Sequence, residues 1–258
     1  MQGRGRYKIG VLQRVRREAL RGINMKKELK IGIVIADNDE FAPLEKRCSE
    51  LSATPVKVAG RKGYTFSLGG EKGSADVTAV ECGIGKVNAA AATTALCEQG
   101  VHIILNCGLS GGISGVSRNE ISIPNKFVEH DFDLTGLGYK LCQKPNQEYV
   151  YNCDNELLEI AKKIIPDAKV GTAATGDCFV QNEALRDLLK SEFSAMSCDM
   201  ETAAMAYVCA AYGVKFLSVR KVSDDAGSEA GDAYRELNNL SEDTLINYLL
   251  EIINAIIW

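Results

Sequence analysis

The sequence contains few of the residues that build metal sites and disulfide scaffolds. Histidine occurs only twice in 258 residues, as His102 and His130, and no two of the nine cysteines form a CxxC pair. The cysteines are odd in number and spread along the whole chain, whereas zinc sites and disulfide frameworks cluster theirs. We therefore expect no metal site, and we expect mostly buried, reduced thiols in a cytoplasmic protein.

Long hydrophobic runs and an excess of positive charge are also missing. The most apolar stretch, 245–258, is interrupted by Asn247, Glu251 and Asn254, so nothing approaches the roughly 18 apolar residues of a membrane span. The formal net charge of −4 gives no general reason to expect nucleic acid as a partner. Neither a membrane nor a nucleic acid is therefore expected to bind this chain.

The charge is unevenly distributed. Residues 1–24 carry a net charge of +6, with Glu18 as their one acid, and the other 234 residues carry −10. Such a basic segment is compatible with a nucleic-acid arm, a transit peptide or an extension without function. We favour an extension, disordered or upstream of a natural start at Met25. Because no repeat or Pro/Ser-rich linker divides 25–258, we expect a single domain there.

Short runs of β-branched and apolar residues alternate with helical stretches along 25–258. The strands are predicted at 30–36, 56–58, 64–68, 76–81, 101–106, 120–128, 195–198 and 215–219. The helices are predicted from about 40 to 50, at 88–98, 155–165, 182–193 and 202–212, and from about Ser241 onward. This alternation is typical of an α/β fold with a largely parallel or mixed sheet.

Acidic residues and glycine turns follow several of the predicted strands, where open α/β sheets bind their ligands. These segments are Glu40, 83–85, 108–112, 199–201 and 223–225. Glycines let backbone N–H groups approach a ligand, and carboxylates that share one rim separate their pKa values into acid and base roles. Because only Lys86 and Arg220 are nearby cations, the rim suits a sugar with an oxocarbenium-like transition state better than a phosphate-rich ligand.

Taken singly, each of these features also has a plainer interpretation. The 83–86 segment lacks the spacing of a P-loop and the third glycine of a dinucleotide-binding turn, so an ordinary turn is favoured. Glu40 alone would be a solvated acid in the first turn of a helix, and Asp224 alone a cap or turn residue. The His130-Asp-Phe-Asp133 segment is only faintly similar to a metal motif, and hydrogen bonding within a loop explains it better.

Six motifs occur in a recognisable order along the chain. They are Ile31-Gly-Ile-Val-Ile-Ala-x-x-x-Glu40, Gly83-Ile-Gly-Lys-Val-Asn-Ala-Ala90, Asn106-x-Gly-x-x-Gly-Gly112, Thr175-Gly-Asp-x-Phe179, Asp199-Met-Glu201 and Val219-Arg-x-Val-Ser-Asp224. Together, over about 30–253, they resemble the 5′-methylthioadenosine/S-adenosylhomocysteine nucleosidases of the purine nucleoside phosphorylase superfamily. The resemblance implies a three-layer α/β/α fold with a central mixed sheet, a homodimer and no cofactor.

The activity that the resemblance implies is hydrolysis of the N-glycosidic bond of an adenine nucleoside. Its substrates would be methylthioadenosine and S-adenosylhomocysteine, with 5′-deoxyadenosine as a further candidate, and its products adenine and a 5-thioribose. Asp224 would protonate purine N7, steadied by Ser223. Glu40 would activate the attacking water, with Arg220 helping to place it, and Glu201 would bind the ribose hydroxyls.

The resemblance also assigns contacts to the substrate. Phe179 would stack on adenine, the backbone of Val180 would read its edge, and Met200 would pack against the sugar. The other substrate-binding residues that it implies are Ala36, Ile84, Leu134, Leu137 and Tyr139, with Tyr234 as an aromatic lid. Cys178, beside Phe179, is a candidate to line the adenine site.

Two alternatives to hydrolysis stay open at this stage. A purine nucleoside phosphorylase needs cationic donors for phosphate, commonly arginines. The strand before Gly108 ends in Asn106-Cys107, without such an arginine, and acids at 37, 39 and 40 would repel phosphate. Water is therefore the favoured nucleophile. The second alternative is a nucleoside-binding module without catalysis.

The chain departs from the nucleosidase pattern at a few positions. Asp37 stands where a Met usually lines the 5′ pocket, Leu109-Ser110 replaces Ser-Ala, Leu137 replaces a common Phe, and Asp199 replaces a Glu. Most of these positions lie near the 5′ group of the substrate or near the attacking water. The departures keep the residues expected to protonate the base and to bind the ribose, but they do not indicate which 5′ substituent the site prefers.

Overall fold

A computed structural model describes residues 27–238 and 243–258. The predictions for the basic segment 1–24, and for the start of the terminal helix at Ser241, fall outside these ranges, whereas the body of that helix is present as Thr244–Ile257. All of the fourteen candidate site residues lie inside them.

Ten β-strands lie in the described ranges. They are β1 (Lys27–Ile35), β2 (Thr54–Val58), β3 (Arg61–Gly69), β4 (Gly73–Glu81), β5 (Ile103–Gly112), β6 (Ile121–Glu129), β7 (Val150–Asn152), β8 (Lys169–Thr175), β9 (Ala195–Asp199) and β10 (Lys215–Asp224). They belong to one sheet with parallel and antiparallel pairs, so the predicted mixed sheet is confirmed.

Helices connect and cover these strands. They are α1 (Asn38–Lys46), α2 (Lys86–Glu98), α3 (Asn155–Ile164), α4 (Glu183–Phe193), α5 (Thr202–Tyr212), α6 (Ala230–Asn238) and α7 (Thr244–Ile257), with a 3₁₀ turn at Thr135–Leu137. Helix α2 packs against α5, and α3 packs against α7. The buried faces of these helices and of the sheet form the main hydrophobic core.

The sheet closes on itself at one end. Strand β1 lies between parallel β4 and β5, and β5 pairs in parallel with β10 and antiparallel with β9. Strands β10, β6, β8 and β9 also pair in that order, so they form a ring with β5. The ring brings the carboxyl ends of β1, β5, β9 and β10 toward one another, so the residues at these ends can line one site.

The central position of β1 follows from its sequence. Its β-branched residues are fully buried on both faces, as expected for a strand that parallel neighbours and helices cover. Gly32 is required within it, because a Cβ there would lie 2.5 Å from Ile104 and 2.9 Å from Leu96. The absence of a side chain at this point lets α2 pack directly onto the sheet.

The structure corrects several predicted boundaries. The 108–112 segment is not a flexible turn, because β5 continues to Gly112 and its last two residues pair with Cys198 and Ser197 of β9. Strand β10 likewise continues through Asp224, pairing with β5. Strands β7 and β8 and helix α6 were not predicted. Strand β8 is built mainly from Gly, Ala and Thr, which give no clear hydrophobic alternation.

Candidate active site

A cavity of about 180 Å³ opens where β1, β5, β9 and β10 end. Eleven of the fourteen candidate residues line it: Ala36, Glu40, Ile84, Phe179, Val180, Met200, Glu201, Arg220, Ser223, Asp224 and Tyr234. Cys178 also lines it. The strand-end rim that the sequence indicates is thus one continuous site.

Glu40 lies in the first turn of α1, which begins because Asp37 caps it by accepting a hydrogen bond from the Asp39 N–H at 2.7 Å. The Glu40 Oε1 accepts a hydrogen bond from the backbone N–H of Leu109 at 2.6 Å. Although the residue faces the cavity, its carboxyl group is enclosed. This burial raises its pKa to about 7, against the opposing effect of the Arg220 charge.

Arg220 is buried on β10 with 2% of its surface exposed. One guanidinium nitrogen donates to Asn106 Oδ1 at 3.3 Å, and another lies 3.5 Å from Glu201 Oε2. Asn106 is itself held by Ser218, whose hydroxyl donates to Oδ1 at 2.6 Å. The guanidinium of Arg220 is therefore held between Asn106 on β5 and the carboxylate of Glu201.

Glu201 precedes α5 and is 4% exposed. Its Oε1 accepts a hydrogen bond from the Gly85 N–H at 2.9 Å, and its other oxygen faces Arg220. Burial raises the pKa of the carboxyl, and Arg220 opposes that rise. The positive φ of Gly85, 97°, is a backbone conformation that favours glycine and aims this N–H at Glu201.

Asp224 ends β10 and is 3% exposed. Its Oδ2 accepts a hydrogen bond from the Ser223 hydroxyl at 2.6 Å, and its Oδ1 accepts one from the Ala226 N–H at 2.9 Å. Burial raises the pKa of this carboxyl, while the two hydrogen bonds oppose the shift. Gly111 makes room for it, because a Cβ there would lie 3.1 Å from Asp224 Oδ1.

The 176–180 segment supplies the aromatic wall of the cavity. The ring of Phe179 meets that of Tyr234, on α6, edge to face with centroids 5.7 Å apart. Phe179 keeps 41% of its surface exposed, whereas Val180 is buried in a small second core. An exposed aromatic ring in the wall of a cavity is suited to stack on a planar base.

An ion-pair network fixes the start of this segment. The Lys86 N–H donates to Asp177 Oδ1, and the Asp177 N–H donates to Asp131 Oδ2, both at 2.8 Å. The Lys86 ammonium lies 2.5 Å from Asp131 Oδ1 and 3.2 Å from Glu129, which Lys144 also contacts. Lys86 is thus neutralised outside the cavity, although its sequence position placed it among the candidate cations of the site.

Three predicted residues do not line the cavity of their own chain. Leu134, Leu137 and Tyr139 lie in and around the 3₁₀ turn after β6, and Leu137 is 73% exposed. The prediction that they line the 5′ pocket is therefore not met within one copy of the chain. The physical reason is that the turn lies on the surface, with its largest apolar side chain in solvent.

Sequence reasoning missed the polar contacts that hold the site together. Asn106 is fully buried on β5, and Asp177 and Asp131 sit outside the cavity. The one available signal was the polar residue Asn106 within an otherwise apolar strand. Asp199, treated as a departure, accepts hydrogen bonds from Glu201 N–H, Thr202 N–H and Thr175 Oγ1, so it ties the start of α5 to the ends of β8 and β9.

Within residues 27–238 and 243–258, no group of three or more His, Cys, Asp or Glu side chains is placed to hold a metal ion. None of the described helices is long and apolar enough to cross a membrane.

Comparisons with known proteins agree with this geometry. Residues 30–257 match the model of the family described as the phosphorylase superfamily. The chain is 33% identical over 236 residues to the 5′-methylthioadenosine/S-adenosylhomocysteine nucleosidase of Geobacillus sp. (strain WCH70), covering 88% of this chain and 99% of that protein.

Two solved structures show the likeness of the fold. A Helicobacter pylori nucleosidase mutant with 5′-methylthioadenosine in the active site superposes with a TM-score of 0.81 and 27% identity, over 88% of this chain and 99% of that one. The native futalosine hydrolase of Helicobacter pylori gives 0.79 and 26%, over 88% and 98%. The three-layer, nucleoside phosphorylase-like α/β/α class predicted from the sequence is confirmed.

Proposed function

We propose that this chain, which belongs to the phosphorylase superfamily and within it to the 5′-methylthioadenosine/S-adenosylhomocysteine nucleosidases, hydrolyses the N-glycosidic bond of 5′-substituted adenosines. The substrates are methylthioadenosine and S-adenosylhomocysteine, and the products are adenine and a 5-thioribose. The observation that carries the proposal is one cavity lined by Asp224, Glu201 and Glu40, the last beside Arg220. The reaction uses these side chains and water.

Asp224 serves as the general acid. Its raised pKa favours the protonated form, which purine N7 needs as a proton donor when the C1′–N9 bond breaks. The Ser223 hydroxyl, 2.6 Å from Oδ2, holds the carboxyl in one orientation. Stacking of Phe179 on the base, with Val180 at its edge, would present N7 to the acid.

Glu40 serves as the general base for water. A carboxylate with a pKa of about 7 accepts a proton efficiently near neutral pH. Arg220 donates to the same water and keeps it on the face of the sugar opposite the leaving base. Glu201 accepts hydrogen bonds from the ribose hydroxyls, and Met200 packs on the sugar. The negative charges around the sugar stabilise the oxocarbenium-like transition state.

The charge of the cavity favours water over phosphate. Among the described residues that line it, Arg220 is the one cation, and it already faces Asn106 and Glu201. A phosphate dianion needs several free cationic donors. It would also lie near Glu40 and Asp37, which repel it. Phosphorolysis is therefore the less favoured alternative.

A second copy of the chain would explain the exposed turn. The family resemblance assigns Leu134, Leu137 and Tyr139 to the 5′ pocket, yet they do not line the cavity of their own chain. Ile84, at the mouth of that cavity, is 50% exposed and Val87 is 79% exposed. We propose a homodimer that buries these apolar surfaces and brings the turn of one subunit to the cavity of the other, in the cytoplasm.

A phosphate-free assay tests the function. Purified protein incubated with methylthioadenosine and with S-adenosylhomocysteine should release adenine and a reducing sugar. Adenine that appears only after phosphate is added would favour the phosphorylase. Calorimetric binding without turnover, even at high protein concentration, would favour the silent binding module. Light scattering should give twice the chain mass, and Leu137→Lys should give monomers.

A further inference from the structure

Helix α6 contributes one side of the cavity, although little apolar burial holds it in place. Its Tyr234 lines the cavity and meets the ring of Phe179 edge to face. Among the side chains of residues 230–237, only those of Ala230 and Leu237 are buried. Polar contacts with the rest of the chain therefore matter for the position of Tyr234.

Arg118 supplies such a contact from outside the helix. Its Nη2 atom donates a hydrogen bond to Glu236 Oε2 at 2.7 Å and a longer one to the carbonyl oxygen of Ala233 at 3.4 Å. The two acceptors flank Tyr234 along the chain. The contact thus fixes the turn of α6 that carries this ring.

The backbone at Arg118 is itself firmly held. It belongs to the connection between β5 and β6, where the Asn119 N–H donates to the Val222 carbonyl at 2.8 Å and the Val222 N–H donates to the Glu120 carbonyl at 3.0 Å. Asn119 has a φ of 71°, a left-handed conformation that asparagine adopts more readily than most residues. Val222 lies two residues before Asp224 on β10. Arg118 therefore joins α6 to the strand that carries the proposed general acid.

We infer that Arg118 is a positioning residue, which holds α6 and Tyr234 against the cavity and so sets the affinity for the nucleoside without contacting it. The inference rests on the proposed function, because it concerns substrate binding in the same cavity. A helix that is already held leaves less order to be created when the substrate binds. Because both side chains of the pair are exposed, at 40% and 71%, the effect on KM should be severalfold rather than many orders of magnitude.

Reversal of the two charges tests the contact. Arg118→Glu should raise KM for methylthioadenosine by about threefold to fivefold, with kcat within about twofold of native. Glu236→Arg should do the same. The double variant Arg118→Glu/Glu236→Arg rebuilds the pair with its charges exchanged and should return KM close to the native value.

The double variant also separates two effects of Arg118. The charge of this residue opposes the rise in the pKa of Asp224, so its loss could by itself alter the chemistry. Exchanging the charges does not restore a cation at residue 118. Recovery of KM in the double variant would therefore come from the held helix and not from the general acid.

The matched control is Arg235→Glu, which makes the same change of charge one residue from Glu236. Arg235 pairs with Asp232 of the same helix at 2.8 Å, so its reversal should leave KM unchanged. An unchanged KM in Arg118→Glu, an equal rise in Arg235→Glu, or no recovery in the double variant would each overturn the inference.

Hydrogen exchange gives a readout that does not depend on catalysis. Without substrate, the backbone amides of 230–238 should exchange faster in Arg118→Glu than in the native chain, and the double variant should recover the native rate. Unchanged exchange would overturn the inference even if the native chain releases adenine. If no substrate released adenine, the proposed function would fail, whereas the exchange rates would still decide whether Arg118 holds the helix.

Discussion

The Oε1 atom of Glu40 accepts a hydrogen bond from the backbone N–H of Leu109 at 2.6 Å. The contact joins the first turn of α1 to the middle of β5, so the sheet itself orients the proposed water base. Because the donor is a backbone group, the Leu side chain at this position does not disturb it. The contact depends instead on Gly108, whose missing side chain lets Glu40 and Arg220 approach the strand.

Replacing Gly108 with alanine should therefore disable the site. A Cβ at this position would lie 2.7 Å from Arg220 Nη1 and 2.9 Å from both carboxylate oxygens of Glu40, so both side chains would have to move. Displacement of catalytic groups by about 1 Å costs on the order of 100-fold in rate. We expect Gly108→Ala to lower kcat by about that factor in the adenine-release assay.

The matched control is Gly69→Ala, at a strand glycine where a Cβ meets nothing within 4 Å. It should keep the native kcat. Native kcat in Gly108→Ala would show that Glu40 and Arg220 tolerate displacement, and the proposed water site would then be wrong.

The fold class and the acidic rim could both be predicted from the sequence, because both depend on recognising the buried strands. Buried strands such as β1 are marked by β-branched residues, and parallel strands place the residues that follow them at one edge, so Glu40, Glu201 and Asp224 could be expected together. The hydrogen bonds that hold the site residues in place could not be predicted. The contacts of Asn106 with Arg220, and of Asp131 with Asp177, join residues far apart in sequence whose types are common on any surface or strand.

Asp224→Asn should abolish most of the adenine release. Asparagine keeps the shape of the side chain and can accept from Ala226 N–H, but it has no proton to give to the purine. General acid catalysis contributes about 100- to 10,000-fold, so we expect a fall in kcat of at least about 100-fold while KM changes little. Steady-state kinetics with methylthioadenosine gives both values.

The neighbouring residue supplies the control for this variant. Asp225 is exposed and its carboxylate accepts from the Gly227 N–H rather than facing the cavity. Asp225→Asn should stay within a fewfold of native kcat. Equal losses in both variants would indicate a general electrostatic effect and contradict the assignment of the acid.

Asp131→Asn should weaken substrate binding more than it slows the chemistry. Asp131 joins Lys86 to the Asp177 N–H, two residues before Phe179. Without this link the 176–180 segment is less ordered. Binding of the base must then order it, and the free energy this costs weakens binding. We expect a severalfold rise in KM with kcat nearly unchanged. Asp133 supplies the control, since its carboxylate accepts a hydrogen bond from the Thr135 N–H and, within the described ranges, none from Lys86 or Asp177. Asp133→Asn should leave KM unchanged. A fall in kcat without a change in KM would contradict this positioning role.

The raised pKa of Glu40 predicts how activity depends on pH. The base must be ionised to take a proton from water, so kcat should fall about tenfold per pH unit below a pH of about 7. Glu40→Gln should lower kcat by about 100-fold or more at pH 8, because its amide can accept from the Leu109 N–H but cannot act as a base. A rate that is level from pH 8 to pH 5 would contradict this role.

The same carboxyl links stability to pH, and the sign is opposite to that of a salt-bridged acid. Between its ordinary pKa of 4.5 and about 7, the folded state holds the proton that the unfolded state has lost, so the free energy of unfolding falls as the pH rises through this window. The contribution is about 3 kcal/mol at most.

Glutamine has no charge to bury, so Glu40→Gln should match the stability of the native chain near pH 4.5 and exceed its Tm by several degrees at pH 8. Glu45→Gln, which removes a charge from the same helix but outside the cavity, should show no such gain. A Glu40→Gln variant less stable than the native chain at pH 8 would mean that Arg220 holds the ionised carboxylate more strongly than burial opposes it.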